Sequence, residues 1–162
     1  MKRLMLCLVI LVGFCFCLVA SAVKCKADCV GTPELVKAAQ ALKAQAVEAR
    51  DNGDYDLASQ YYRQAAEKHP KADVQASYLM NAVGAMVGTW APRGGWRWDT
   101  ERGPAGILKA LDLCASAQTL LDHATKDNCH SKGVEAEALQ DWIVTQRDFL
   151  LKMKKVYNPK PD

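Results

Sequence analysis

The sequence predicts an all-α fold: antiparallel helical hairpins packed side by side, with a C-terminal helix capping the stack. Three observations carry this. Leucine, alanine and other apolar residues recur at three- and four-residue spacing through most of the chain. Helix-start and helix-stop residues punctuate that pattern. No alternating strand pattern appears, and the turns are short enough to favour antiparallel neighbours.

Thr32-Pro33-Glu34 opens the first helix, with Thr at the N-cap, Pro at the first helical position and an acid in the first turn. Leu35, Ala38, Ala39, Leu42, Ala46 and Ala49 follow as its apolar stripe. The run Asp51 to Asp56 stops it, with Gly53 suited to a left-handed C-cap. Asp54 caps a second helix from Tyr55 to Lys68, ended by Pro70. A third spans Ala72 to Gly88, a fourth Pro104 to about Ala124. Ser131 caps a fifth that runs to about Lys155 and carries Val134, Leu139, Trp142, Ile143, Phe149 and Leu150. His69, just before Pro70, reads as a surface residue at a helix end.

Before these helices stands a different kind of segment. A basic start, Lys2-Arg3, leads into an unbroken apolar run, and Ala20-Ser21-Ala22 offers the small residues of an A-x-A cleavage site. That is the pattern of a secretory signal peptide over residues 1–22, giving a secreted or periplasmic protein beginning at Val23. An uncleaved leader would be a membrane anchor, and only then is a membrane expected as a partner. The rest divides into a strap, 23–32, a helical domain, 33–157, and a short tail, 158–162. Without Lys2 and Arg3, the 21 basic residues of the chain fall to 19 against 18 acidic ones. Such a balance gives no reason to expect nucleic acid. Lys152, Lys154, Lys155 and Lys160 read as a solvated helix end.

Outside the leader the cysteines are Cys25, Cys29, Cys114 and Cys129. An even number in an exported domain predicts disulfides. A strap lying antiparallel to the chain near Cys114 and Cys129 joins Cys29 to Cys114 and Cys25 to Cys129. The competing arrangement joins Cys25 to Cys29 and Cys114 to Cys129.

One segment fits no helix. Residues 88–104, GTWAPRGGWRWDTERGP, hold three of the four tryptophans, three arginines and four glycines. That density of Gly and Pro reads as a loop inserted between two helices. In an extended stretch Trp96 and Trp98 face one side and Arg97 the other. The expectation is that Trp90, Trp96 and Trp98 fold back on the helices. Arg93, Arg97 and Arg102 then rim the loop, where they and the Trp96–Trp98 edge are available to a partner. Asp99 and Glu101, considered as catalytic carboxylates, pair more simply with Arg97 and Arg102. Gly84-x3-Gly88 suits close packing beside this insert.

The second helix carries the most specific spacing. Ala58, Tyr62, Ala65 and Pro70 follow one another at four, three and five residues. Small Ala58 and Ala65 let two helices approach, Tyr62 fills the groove beside them, and Pro70 ends the hairpin. This resembles the tetratricopeptide repeat, whose second helix reads A-x3-[YF]-x2-A-x4-P. Leu42 stands where that family has Trp, and Ala46 where it has Gly. Ala76, Leu79, Met80 and Val83 match the first helix of a second repeat. Its second helix resumes with Ala110, Cys114 and Ala117, Cys replacing the aromatic. The resemblance implies a concave face for a partner segment, formed by Gln40, Lys43, Val47 and Arg50 of the first repeat and Ser77, Asn81 and Gly84 of the second. Two repeats fall below the three that usually stand alone, so disulfides, the capping helix or self-association supply the missing burial.

No nucleophile–base motif, phosphate loop or dinucleotide fingerprint is present. Cys114, His123, Cys129 and His130 match no standard zinc spacing. Lys126 stands where a haem-attachment motif ending at Cys129-His130 needs its first cysteine. The sequence therefore predicts a non-enzymatic, cofactor-free and metal-free module that binds a protein or peptide. The alternative is a binder of small ligands or glycans that uses the Trp/Arg-rich insert.

Overall fold

The computed structural model describes residues 31–92, 94–127, 130–131 and 134–157. The leader, the strap up to residue 30, Arg93, Cys129 and the tail 158–162 lie outside the described residues. The architecture is all-α with one small β-hairpin. In chain order the elements are α1 (Pro33–Asp51), α2 (Tyr55–Lys68), α3 (Ala72–Val87), β1 (Gly88–Ala91), β2 (Gly95–Trp98), α4 (Gly103–Lys126) and α5 (Ala136–Tyr157). Each helix packs on the next, α1 on α2, α2 on α3, α3 on α4 and α4 on α5. The middle helix, α3, also touches both strands and α5.

The local signals of the first hairpin are realised atom by atom. The Thr32 hydroxyl accepts the Leu35 N–H at 3.4 Å, and the Asp54 carboxylate accepts the Leu57 N–H at 3.1 Å. Each satisfies a backbone donor that the first turn of a helix leaves free. Gly53 takes φ +81°, the left-handed conformation a side chain would resist. Ala58 and Ala65 are fully buried, and Tyr62 is the largest fully buried side chain. Around Tyr62 lie Ala46 and Ala49 of α1 and Ala82 and Ala85 of α3. Small residues on three helices thus make room for one ring. The Ser59 hydroxyl donates to the Ala82 carbonyl at 3.2 Å and pins α2 to α3.

The second half is built from bulkier residues. Met80, Val83 and Val87 of α3 meet Ile107, Cys114 and Leu121 of α4 and Leu139, Ile143 and Leu150 of α5. Cys114 is a free, fully buried thiol, and burial pushes its pKa up to about 11. No disulfide joins described residues. The expected partners Cys25, Cys29 and Cys129 fall outside them.

Three sequence expectations are corrected. The insert is not an irregular loop. Gly88 to Ala91 pairs antiparallel with Gly95 to Trp98, with Trp90 opposite Trp96 and Thr89 opposite Arg97. The Pro and Gly residues that argue against a strand sit at the turn, Pro92, Gly94 and Gly95, and at the hairpin ends. Ser131 does not cap α5, which starts at Ala136. Its backbone N–H and hydroxyl instead donate to the carboxylate of Asp73, fully buried in the first turn of α3. That contact ties the α4–α5 connection to α3 across 58 residues. His69 is not a surface residue. It is buried edge-on against Tyr78, with ring centroids 5.8 Å apart, and its Nδ1 accepts the Lys71 N–H at 3.2 Å.

Candidate functional site

The hairpin leaves α3 at Gly88 and folds back over the end of that helix. The two tryptophans of β2 take different seats. Trp96 lies directly on Gly84: a Cβ built there would fall 2.3 Å from the indole Cδ1. Only glycine permits that approach. Trp96 meets Tyr55 edge-on at 5.9 Å and Trp90 at 5.2 Å. Trp98 points to the other cluster, against Phe149 at 5.4 Å and Tyr157 at 5.9 Å on α5. The hairpin therefore touches both buried clusters, with Trp96 on the alanine-rich one around Tyr62 and Trp98 on the larger one that α3 shares with α4 and α5. Both rings face the helices while Arg97 is exposed, the alternation expected of an extended strand.

Arg102 holds the base of the hairpin. Its guanidinium donates to the Gly88 carbonyl, lies 3.3 Å from Asp56 and 3.5 Å from Asp99, and sits over the Tyr55 ring at 4.7 Å. A residue expected on the free rim is thus consumed inside the fold. Asp99 is equally occupied, accepting the backbone N–H groups of Arg102 at 3.0 Å and Glu101 at 2.9 Å. The Arg102 N–H bond, ahead of the Glu101 N–H and the Arg102 charge, holds its carboxyl below the usual range. That is the pattern of a turn-forming carboxylate. The expected pairing of these acids with Arg97 is not made, since the Arg97 guanidinium lies against Gly94.

The face assigned to a partner segment is partly covered by the hairpin. Arg50 lies under the Trp90 ring, 4.0 Å from its centroid. Gly84 is buried beneath Trp96. These contacts place Trp90 on the last turn of α1 and Trp96 on Gly84 of α3. Away from that end, Gln40 and Lys43 are exposed and Val47, Ser77 and Asn81 are half-buried. The Asn81 amide donates to the Ser77 carbonyl at 3.0 Å, which leaves its side-chain oxygen for another donor. The structure brings Arg50, Gly84, Trp90 and Trp96 together. It does not bring Arg97 or Arg102 to them as free cations. Arg93 lies outside the described residues.

Sequence reasoning missed a second feature. A pocket of about 430 Å³ opens between the hairpin and α5, lined by Gly84, Val87, Trp96, Trp98, Thr145 and Phe149 among others. Its only advance signal is Phe149, which falls on the apolar stripe of α5. Among the described residues no three His, Cys, Asp or Glu side chains converge as a metal site would require. No described helix is long and apolar enough to cross a membrane.

No family model matches this chain, and no curated protein or solved structure matches it.

Proposed function

We propose that this protein is an exported, non-enzymatic module of tetratricopeptide type that binds an extended segment of a protein partner. What supports this most directly is that Gln40 and Lys43 on α1 are exposed and Val47 on α1 and Ser77 and Asn81 on α3 are half-buried, while Trp90 covers Arg50 and Trp96 covers Gly84 further along the same two helices. A half-buried apolar side chain flanked by exposed polar ones suits a segment that needs one anchor and several hydrogen bonds. The burial of Ala58, Tyr62 and Ala65 supports the repeat reading, because each fills the role its spacing requires. Export rests on the leader read from residues 1–22.

The test is a pull-down from the envelope or medium of the producing cell, with wild type and with the Lys43→Glu, Asn81→Ala double variant. A stoichiometric protein bound by wild type and lost from the variant, at unchanged melting temperature, is the expected result. A partner retained by the double variant would remove this face from the site.

A further inference from the structure

We propose that the C-terminal end of α5 docks on an anionic lipid surface. The sequence alone reads its lysines as a solvated helix end, where the helix dipole favours cations. That reading does not account for the apolar side chains standing among them. Among the described residues four large apolar side chains are exposed, and three of them, Leu151, Val156 and Tyr157, lie on the last two turns of α5. Val156 is 69% exposed. Single exposed apolar residues are ordinary, but such a concentration marks a contact surface.

The charge of the same turns selects the partner. Lys152, Lys154 and Lys155 are exposed beside these side chains. Between Asp148 and Asp162 the chain carries four lysines and no acidic residue. The end of α5 also projects from the bundle: of residues 151–157 only Met153 is half-buried, and the other six are exposed. The Trp98 ring braces Tyr157, with centroids 5.9 Å apart, and ties the tip to the hairpin. Lysines are drawn to anionic headgroups, apolar side chains enter the boundary of the acyl layer, and an aromatic ring favours the headgroup level.

Shape separates lipid from protein. Helix geometry places Val156 about 140° around the axis from Leu151, and Tyr157 about 100° beyond Val156. The three therefore ring the helix end instead of forming one stripe. A protein groove takes a single face of a helix, whereas a fluid headgroup layer surrounds a tip. A second copy is disfavoured by charge, because two such ends meeting would bring the lysines of both chains together. Nucleic acid would engage the lysines and leave Leu151 and Val156 in water. This surface does not depend on the peptide-binding reading, which concerns α1 and α3.

The test is co-sedimentation of the protein, as isolated from the producing cell, with vesicles of phosphatidylglycerol and with vesicles of phosphatidylcholine. Wild type is expected to favour the anionic vesicles, and to bind them less as salt is raised. The Lys152→Gln, Lys154→Gln, Lys155→Gln triple variant should bind them about a hundredfold less tightly. The Leu151→Ser, Val156→Ser double variant should bind them about tenfold less tightly. Both changes lie on exposed positions, so melting temperatures should stay unchanged. A leader that export has not removed adds equally to wild type and variants, so the difference between them reads α5 alone. The proposal is overturned if wild type shows no preference for anionic vesicles, or if either variant binds them like wild type. It is also overturned if sedimentation velocity without lipid shows a dimer that the double variant loses while neither vesicle is bound, which would give the surface to a second copy.

Discussion

The two halves of this molecule solve the packing problem with different materials. The first hairpin closes on small residues, Ala46, Ala49, Ala58 and Ala65, with Tyr62 as its one large filler. The second half interlocks branched and long side chains, Met80, Val83, Ile107, Leu121, Ile143 and Leu150. Alanine interfaces bring backbones close, so their geometry is set by spacing along the sequence and by the caps at each end. Interlocking larger side chains leaves more choices open, and long-range contacts make them: Asp73 to Ser131, a reciprocal amide pair between Gln118 and Gln140, and the hairpin itself. One half is written locally and the other is assembled.

The sharpest way to break the first half is Tyr62→Ala. Alanines cannot collapse into the space a buried ring leaves, because they have no side chain to extend. We expect a loss of about 3–5 kcal/mol, the usual range for removing a core aromatic. The same truncation at Ile107, fully buried in the second half, should fall lower, at about 2–5 kcal/mol, because flexible neighbours such as Met80 can shift toward the gap. Chemical denaturation of both variants compares them. A smaller loss at Tyr62 than at Ile107 would reverse the contrast drawn here.

The hairpin joins the halves, and Gly84 is its seat on the first. A methyl at Gly84 would sit inside the Trp96 ring, so Gly84→Ala must push the ring away or bend α3. Overpacking of this kind costs about 1–3 kcal/mol. The measurement is a denaturation curve with a near-ultraviolet dichroism spectrum, which reports ring environment. Wild-type stability with an unchanged aromatic signal would mean that Trp96 does not rest on Gly84, and the bridge between the clusters would fail with it.

The same contrast decides what could be read from the sequence. Helices α1 and α2 were legible to the residue, because Thr32, Pro33, Gly53 and Asp54 act within one turn of where they stand. Trp96 and Trp98 were correctly expected to face the helices, since alternation is a local property of extended chain. The hairpin itself was not seen. Strands of four residues carry little pattern, and the glycines around them obscure it. Ser131 reads as an N-cap, and Asp73 carries no signal of its own. Nothing near either one announces a bond to the other. Arg102 looked like a free cation for the same reason: its partners Asp56 and Gly88 are brought to it only by the fold.

The smallest expected effect lies where the halves meet, at His69. This side chain is buried between the end of α2 and Tyr78 of α3. Burial pushes its pKa below the ordinary value of 6.5, and Lys71 pushes the same way. The Lys71 carbonyl, 3.4 Å from Nδ1, and the Asp73 carboxylate oppose both. The depressed value fixes the sign. Unfolded chains take up a proton at His69 more readily than folded ones, so stability is fully present above pH 6.5 and is lost as the pH falls from there toward the folded value. The melting temperature should drop modestly between pH 7.5 and pH 5.5, and His69→Gln, which keeps a polar side chain of similar reach, should flatten that part of the curve. Carboxylates titrate mainly below this window and are common to both proteins, so the difference between the two curves isolates the imidazole. Parallel curves for wild type and variant would show that His69 meets water freely, and that α2 and α3 part at this end.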